Sequence, residues 1–329
     1  MVIDIGRREF ITLVGAMIGC PRAGRAQQAG KVPRIGFLGI SSPSTFAPRI
    51  EAFRQGLRDF GYIEGSTIII EYRWAEGHYE RLPELAADLV RSNVDLIVTH
   101  ATPGSLAAKR ATTTIPIVMA VIGDPVASGV VANVARPGGN ITGQSFFNAE
   151  LRAKRLELLK EVKPNLTQVA VILNADNPAT KAEFQAMETT AQSLKIKLQP
   201  FRLRAPSEFV SAFESMEQTQ VEAVETGDDP LAMGDVGAIV ALAARARFLS
   251  IGPEDVARAG GTIGYGVEIV ATYRHAAFFV DKILKGANPA DLPIEGASKF
   301  ITVVNLRAAK ALGIDIPTAT LLRADEVIE

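Results

Sequence analysis

At five places along the chain, a short apolar segment is followed by a helix-capping side chain directly before a proline. The pairs are Ser42-Pro43, Thr102-Pro103, Asp124-Pro125, Asn177-Pro178 and Asp229-Pro230. Serine, threonine, aspartate and asparagine accept hydrogen bonds from the free N–H groups at a helix start, and proline fits the first helical turn. Each pair follows a short apolar segment, so the pattern predicts helices that begin at the carboxyl ends of strands.

That edge of an open α/β sheet is where ligands bind, and helix N-termini there favour an anion such as a carboxylate. Thr102 is predicted to cap a helix whose first turn, with Gly104 and Ser105, offers N–H groups to a carboxylate. A single cap–proline pair is commonly ordinary helix punctuation. Because the pairs recur in both halves of the chain, a shared ligand cleft stands as an equal alternative.

The sequence carries no motif for a nucleotide, an activated nucleophile or a catalytic metal, so no cofactor and no metal are predicted. The single cysteine, Cys20, excludes an intramolecular disulfide. His78, His100 and His275 lack metal-ligand spacing and are interpreted as ordinary surface or loop residues. Asp228 and Asp229 could form an acid pair, but a helix cap beside a loop carboxylate explains them better.

Apolar strands alternate with amphipathic helices, and this pattern restarts near residue 148. Strands are predicted near 34–38, 67–73, 94–99, 115–122, 168–173, 197–202, 221–226 and 248–251, and helices near 47–60, 82–92, 151–162 and 179–194. Such alternation predicts parallel sheets covered on both faces. A chain of 329 residues is too long for one ordinary core, so two α/β lobes are expected.

The first residues have the pattern of an export signal. Arg7-Arg8 precedes an apolar run, 11–19, that is too short to cross a bilayer. Residues 1–26 are therefore predicted to be a Tat-like signal peptide, with Gln27 as the first residue of a soluble periplasmic protein. A competing hypothesis is a lipid anchor at Cys20. The formal net charge of −1 provides no basic surplus, so a nucleic-acid partner is not expected.

Six sequence motifs stand in a characteristic order. They are EYRWAEG at 71–77, ATTTIPIV at 111–118, GDPV at 123–126, ARPGGNITG at 135–143, KRLELLK at 154–160 and RADEVIE at 323–329. Together they resemble the ABC transporter substrate-binding proteins that are related to tryptophan- and tyrosine-binding proteins. The resemblance covers nearly the whole chain.

This resemblance implies a type I periplasmic-binding fold: two Rossmann-like lobes with parallel sheets, joined by a three-segment hinge. Lobe one would comprise 33–145 plus 266–297, and lobe two 146–265 plus 298–329. The crossings would fall near 143–148, 264–268 and 300–304. The resemblance also assigns ligand contacts to Ser41, Ser42, Ala101, Thr102, Asp124, Ser145, Phe146, Asn174, Asn177, Asp228 and Tyr265.

The function implied is that of an exported, non-enzymatic solute-binding component that delivers a small organic ligand to an ABC permease in the inner membrane. A carboxylate, amino-acid-like or aromatic ligand is expected, with Asp124 or Asp228 facing an amine and Phe146 and Tyr265 flanking an apolar group. The protein is expected to be a monomer. The alternatives are a ligand-sensing protein for a membrane receptor and an exported α/β hydrolase or lyase using Asp228, Asp229 and His100.

Two departures from the family pattern concern the second lobe. Glu222 and Glu225 stand in or beside a strand that is usually plain apolar. Pro253-Glu254 stands in place of an aromatic-containing turn. Because this turn is expected to line the wall of lobe two, the ligand is expected to differ from that of better-known relatives.

Overall fold

The computed structural model describes residues 32–146 and 148–329, of which Pro33–Glu329 form one compact unit. The predicted signal peptide, its cleavage after Ala26 and the alternative anchor at Cys20 lie outside the described residues. Within those residues, no helix combines the length and apolar character needed to cross a membrane.

The described residues form strands and helices in regular alternation. The strands are β1 (Arg34–Gly39), β2 (Ile69–Trp74), β3 (Leu96–Thr99), β4 (Ile117–Ile122), β5 (Ile141–Ser145), β6 (Gln168–Asn174), β7 (Lys197–Leu203), β8 (Ala223–Thr226), β9 (Leu249–Gly252), β10 (Ile263–Val267), β11 (Glu295–Gly296), β12 (Phe300–Asn305) and β13 (Glu326–Ile328). The helices are α1 (Pro43–Asp59), α2 (Leu82–Arg91), α3 (Ala101–Ala111), α4 (Asn148–Val162), α5 (Thr180–Ser193), α6 (Phe209–Glu217), α7 (Pro230–Met233), α8 (Val236–Arg245), α9 (Glu254–Arg258), α10 (Ile269–Leu284), α11 (Leu306–Leu312) and α12 (Thr318–Leu322).

Two sheets organise these elements, and the predicted α/β class is confirmed. The first sheet has the order β11-β5-β4-β3-β1-β2 and is parallel throughout. The second has the order β13-β12-β10-β9-β8-β6-β7. Helices cover both faces of each sheet, which is why central strands such as β4 are buried along their whole length.

Side-chain alternation along the strands builds a separate core on each face. In β1, Ile35 and Phe37 pack with helices α1 and α10, whereas Leu38 packs with α2 and α3. We call the first sheet with α1–α3 and α10 the first lobe, and the second sheet with α4–α9, α11 and α12 the second lobe. The chain passes between the sheets at 145–148, 267–269 and 296–300. The residue boundaries of the lobes stay a prediction.

One pair of strands departs from the predicted parallel arrangement. Strands β10 and β12 pair antiparallel, with Gly264 opposite Val303. The segments expected to be crossings near 264–268 and 300–304 therefore lie largely within the second sheet. Glycine permits this path, because a Cβ at Gly264 would stand 2.7 Å from the Cα of Glu254 in α9.

The five cap–proline pairs all follow the carboxyl end of a strand, but they act differently. Ser42 and Asp229 are the N-caps of α1 and α7, and Asp229 accepts from the N–H of Leu231 at 2.9 Å. Asp124 and Asn177 instead stabilise turns. The prediction that Thr102 caps a helix is wrong: the N-cap of α3 is His100, which makes no side-chain cap, and Thr102 lies within the first turn.

Candidate functional site

A cavity lies between the two lobes, where the carboxyl ends of strands from both sheets meet. The first lobe contributes Ser41, Phe46, Arg49, His100, Ala101, Thr102, Val121, Gly123, Ile269 and Tyr273. The second lobe and the segments that join the lobes contribute Phe146, Asn148, Asn177, Glu183, Asp228, Asp229, Pro230, Met233, Pro253, Glu254, Asp255 and Val267. This is the edge at which an open α/β sheet binds its ligands.

Six of the eleven predicted ligand contacts are brought together in this cavity: Ser41, Ala101, Thr102, Phe146, Asn177 and Asp228. Ser42 and Asn174 line a neighbouring groove between the lobes. The remaining three lie outside the cavity lining, since Asp124 holds a turn, Ser145 donates to the carbonyl of Gly123 at 2.8 Å, and Tyr265 stacks on Phe300. A role in ligand binding stays a prediction for all eleven.

Aromatic side chains form one end of the cavity. The ring centroids of Phe46 and His100 are 4.4 Å apart, and Tyr273 meets Phe46 edge-on at 5.6 Å. Phe146 and Val121 add apolar surface to the same lining. A flat apolar group of a ligand would lose water and gain ring contacts here.

Hydrogen-bond donors face the cavity from the first lobe. Helix α3 begins there without a side-chain cap, and Ala101 at its start has a left-handed φ of 53°. The N–H groups of the first helical turn have no acceptor within the helix, so the start of α3 is suited to an anionic oxygen. Burial raises the pKa of Tyr273, which keeps its hydroxyl protonated.

Carboxyl groups dominate the opposite wall. Asp228 receives two hydrogen bonds from Arg155, at 2.6 and 2.9 Å. Behind it, Arg152 and Arg155 both contact Glu225, and all three of these side chains are buried. Two arginines (Arg152, Arg155) and six carboxyl groups (Glu183, Glu225, Asp228, Asp229, Glu254, Asp255) stand in or behind this wall, so carboxyl groups outnumber arginines on the second-lobe side of the cavity.

Two carboxyl groups of this wall have raised pKa values. Burial is the main cause at Glu183, and the nearby charges of Asp229 and Asp228 add to it. Burial also raises the pKa of Glu254 to about 7, with a further contribution from Asp255. A cationic ligand group would offset both effects, because an opposite charge favours the ionised carboxylate.

Asp229 has the opposite character, since its oxygens are fully engaged. It accepts hydrogen bonds from Asn174 and Asn177, at 2.8 and 2.7 Å, and from the N–H of Leu231. The Tyr79 hydroxyl of the first lobe adds a fourth at 2.8 Å. These contacts make Asp229 part of the junction between the lobes.

A second contact joins the lobes on another side of the cavity. Arg49 of α1 donates to Asp255 of α9 at 2.9 Å, and its guanidinium lies 4.9 Å from the ring centroid of Phe46. Together with the bond from Tyr79 to Asp229, this contact holds the two lobes against each other.

Several residues that line the cavity were not predicted from the sequence. His100 was taken as a surface or loop residue, but only 2% of it is exposed, because it directly follows β3 and points into the first lobe. Its position after a predicted strand was the available signal. Arg49, Glu183 and Tyr273 lie inside helices, and no local pattern marks them, because only tertiary packing brings them to the cavity.

The chain is similar to known solute-binding proteins over most of its length. The "Tyrosine-binding protein" of Clostridioides difficile (strain R20291) is 25% identical over 263 residues, which are 80% of this chain and 75% of the relative. An ABC domain from Streptococcus pneumoniae, solved in complex with L-Trp, is 25% identical with a TM-score of 0.84, and the match covers 91% of this chain and 100% of that one.

A third similar structure is the ligand-free, open form of a substrate-binding protein with adhesive properties from Clostridium difficile. It is 23% identical with a TM-score of 0.65, and the match covers 90% of this chain and 99% of that one. These likenesses confirm the type I periplasmic-binding fold. The family model for "ABC transporter substrate binding protein" matches residues 38–328, and the chain therefore belongs to that family.

Proposed function

We propose that this protein is the exported solute-binding component of an ABC transporter and that its ligand is an aromatic amino acid. The observation that carries the proposal is the division of the cavity into three chemical parts. Donors from the first lobe suit a carboxylate, the acidic wall of the second lobe suits an ammonium group, and aromatic rings suit an aromatic side chain.

The carboxylate would lie at the start of α3. A helix N-terminus favours an anion by about 0.3–1 kcal/mol when exposed and by up to about 2 kcal/mol when partly buried. Thr102 is buried in this turn, so the larger figure applies. Pro103 has no N–H group, which leaves Ala101 and Thr102 as the donors of the turn.

The ammonium group would lie against the acidic wall. Asp228 is already held by Arg155, whereas Glu183 has a single arginine contact, with Arg152 at 3.2 Å. Glu183 is therefore better placed than Asp228 to pair with a ligand cation. A charge-assisted hydrogen bond of this kind contributes roughly 1.5–3 kcal/mol.

The aromatic part of the proposal is supported by the box of Phe46, His100 and Tyr273 and by the names of the relatives, one a tyrosine-binding protein and one solved with L-Trp. A closed cleft would desolvate the ligand and strengthen its polar contacts. The TM-score is higher to the L-Trp complex than to the open, ligand-free structure, which supports a closed form here.

Closure would be the signal that an inner-membrane permease recognises, and the protein would act outside the cytoplasm as a monomer. We propose no catalysis. Burial, with a smaller contribution from Arg49, lowers the pKa of His100 to about 3, so this ring is too weakly basic to act as a general base. Asp229 is saturated with hydrogen bonds, as described above.

Titration calorimetry with three indole compounds tests the proposal. L-Tryptophan is expected to bind, whereas tryptamine, which lacks the carboxylate, and indole-3-propionate, which lacks the amine, should each bind at least about tenfold more weakly. L-Tyrosine and L-phenylalanine complete the panel. Equal binding of all three indoles would show that the cavity recognises shape alone, and the absence of any binder would refute the aromatic amino-acid assignment.

A further inference from the structure

The contacts of His100 lead to an inference that rests on the proposed function and adds a residue to it. We infer that His100 is a specificity-determining residue, whose Nδ1–H is a permanently oriented donor to the carboxylate of the ligand. Four features of the described residues carry this inference: the partner of one ring nitrogen, the packing of the ring, the place of His100 in the cavity lining and its position at the start of α3.

The first feature fixes the tautomer. The backbone N–H of Ile40, just beyond the end of β1, donates to Nε2 of His100 at 3.2 Å. A neutral imidazole that accepts at one nitrogen must carry its proton on the other. Nδ1 is therefore the donor, and β1 sets this because it pairs with β3, the strand that ends directly before His100.

The second feature fixes the ring. His100 lies 4.4 Å from Phe46 of α1 and 6.0 Å from Tyr273 of α10, measured between ring centroids. Rotation of the imidazole would break the bond from Ile40 and disturb both ring contacts. The direction of the Nδ1–H bond is thus set by the fold before a ligand arrives, which lowers the cost of binding.

The third and fourth features place this donor at the ligand. His100 lines the cavity, and because the Ile40 N–H occupies Nε2, Nδ1 is the ring nitrogen left to donate to a ligand. As the N-cap residue of α3, His100 immediately precedes the free N–H groups of Ala101 and Thr102. An anion at the start of α3 would therefore meet the ring N–H as well.

The ring keeps this role over the physiological pH range. Two neighbouring side chains with ionisable groups act on or pack against it, Arg49 of α1 through its charge and Tyr273 of α10 through its ring. Burial and Arg49 both lower the pKa of His100, to about 3, so the imidazole stays neutral between pH 5 and 8. Most histidines change charge in this range, but His100 should not.

Nitrogen NMR on protein labelled only at histidine tests the inference, because the chain contains just three histidines. In the free protein, His100 should show the Nδ1–H tautomer unchanged from pH 5 to 8. Addition of L-tryptophan should shift the His100 signals and leave those of His78 and His275, which are on the surface, unmoved. A titrating ring or an Nε2–H tautomer in the free protein would overturn the inference.

Two matched variants separate the cavity donor from a structural role. In His100→Gln the side chain can still accept from Ile40 but lacks a donor at the Nδ1 position, so L-tryptophan should bind about ten- to hundredfold more weakly. In His100→Asn the amide nitrogen can replace Nδ1–H, so affinity for L-tryptophan should be largely kept. The melting temperature should fall, because the bond from Ile40 is lost. Tryptamine, without a carboxylate, should bind the Gln variant and the wild type equally.

The reverse order of affinities, with Asn weak and Gln unaffected, would show that only the bond to Ile40 matters and would overturn the inference. His275→Gln serves as the surface control. A failure of the proposed function is distinguishable from these outcomes, because it would appear as absence of amino-acid binding to the wild type, whereas the tautomer is decided in the free protein.

Discussion

Glu225 is the residue on which the charged wall of the cavity depends. It stands in β8 on the face that packs against α4, among residues such as Ala223, and it is fully buried. Two arginines of α4, Arg152 and Arg155, are buried with it. A carboxylate in an otherwise apolar strand thus holds Arg155, which in turn holds Asp228 at the cavity.

Replacing Glu225 should be severe. Glu225→Gln would leave two buried guanidinium groups without their full counter-charge, and breaking a buried pair in this way costs about 3–5 kcal/mol of folding free energy. Glu157→Gln is the matched control, since Glu157 keeps 49% of its side chain exposed and pairs with Lys154 on the surface of α4. A surface pair contributes about 1 kcal/mol or less. Urea unfolding of both variants tests this, and equal losses would contradict it.

Glu254 should make the stability of the protein depend on pH. Its pKa is about 7 in the folded protein and 4.5 in the reference state, so the folded form retains a proton that the unfolded form loses between these values. Stability should therefore fall as pH rises from about 4.5 to 7, by about 3 kcal/mol at most for this group.

Glu254→Gln provides the measurement, because an amide cannot ionise. The variant should lose less stability than the wild type between pH 5 and 7 in parallel denaturant titrations. Parallel pH profiles for the two proteins would mean that Glu254 is already ionised in the folded protein at pH 5.

At the scale of elements, a short 3₁₀ segment of the first lobe, Tyr79–Arg81, lines the groove that neighbours the cavity. The Tyr79 hydroxyl donates to Asp229, the N-cap of α7 in the second lobe. Burial raises the pKa of Tyr79 well above its usual value, which keeps the phenol protonated as a donor. Because this bond joins the two lobes, it should favour closure.

Tyr79→Phe should weaken ligand binding by roughly tenfold, because a lost hydrogen bond of about 1.5 kcal/mol to the closed form lowers the population that retains the ligand. Tyr62→Phe is the control, since Tyr62 donates to Asp281 within the first lobe at 3.1 Å. Calorimetry on both variants distinguishes closure from a general loss of stability. Equal affinities would show that the Tyr79 bond does not contribute.

The elements themselves were largely predictable from the sequence. Apolar runs bounded by cap–proline pairs located β1, β3, β4, β6 and β8, because hydrophobic period and turn chemistry are local properties. Helix α1 begins at Pro43 rather than near residue 47, because Ser42 caps it. The antiparallel β10–β12 pair was not predictable, since strand direction there depends on how the chain returns between the lobes.

The site was less predictable than the elements, because its geometry depends on tertiary packing and only partly on local sequence patterns. Ala101, Thr102, Asn177 and Asp228 follow strands directly, so their place at the sheet edge could be inferred. Glu183 and Tyr273 come from helix interiors, and their approach to the cavity depends on packing between segments far apart in the chain. Asp124 carries the same cap–proline signal, but it stabilises a turn that lies outside the cavity lining, so this signal alone does not locate the cavity.

For the whole molecule, ligand capture requires two lobes that move on three short connections and close on the ligand. Ligand binding energy would shift the balance between open and closed forms by as much as the ligand prefers the closed one. The bridges from Arg49 to Asp255 and from Tyr79 to Asp229 join the two lobes, so they should stabilise the closed form.

Small-angle X-ray scattering on the protein with and without saturating L-tryptophan, or the amino acid that calorimetry selects, tests this most directly. Capture by lobe closure predicts a smaller radius of gyration with the ligand than without it. In Tyr79→Phe, this decrease in the radius of gyration should be smaller at the same ligand concentration. An unchanged radius of gyration, with binding to the same sample demonstrated by calorimetry, would contradict capture by lobe closure.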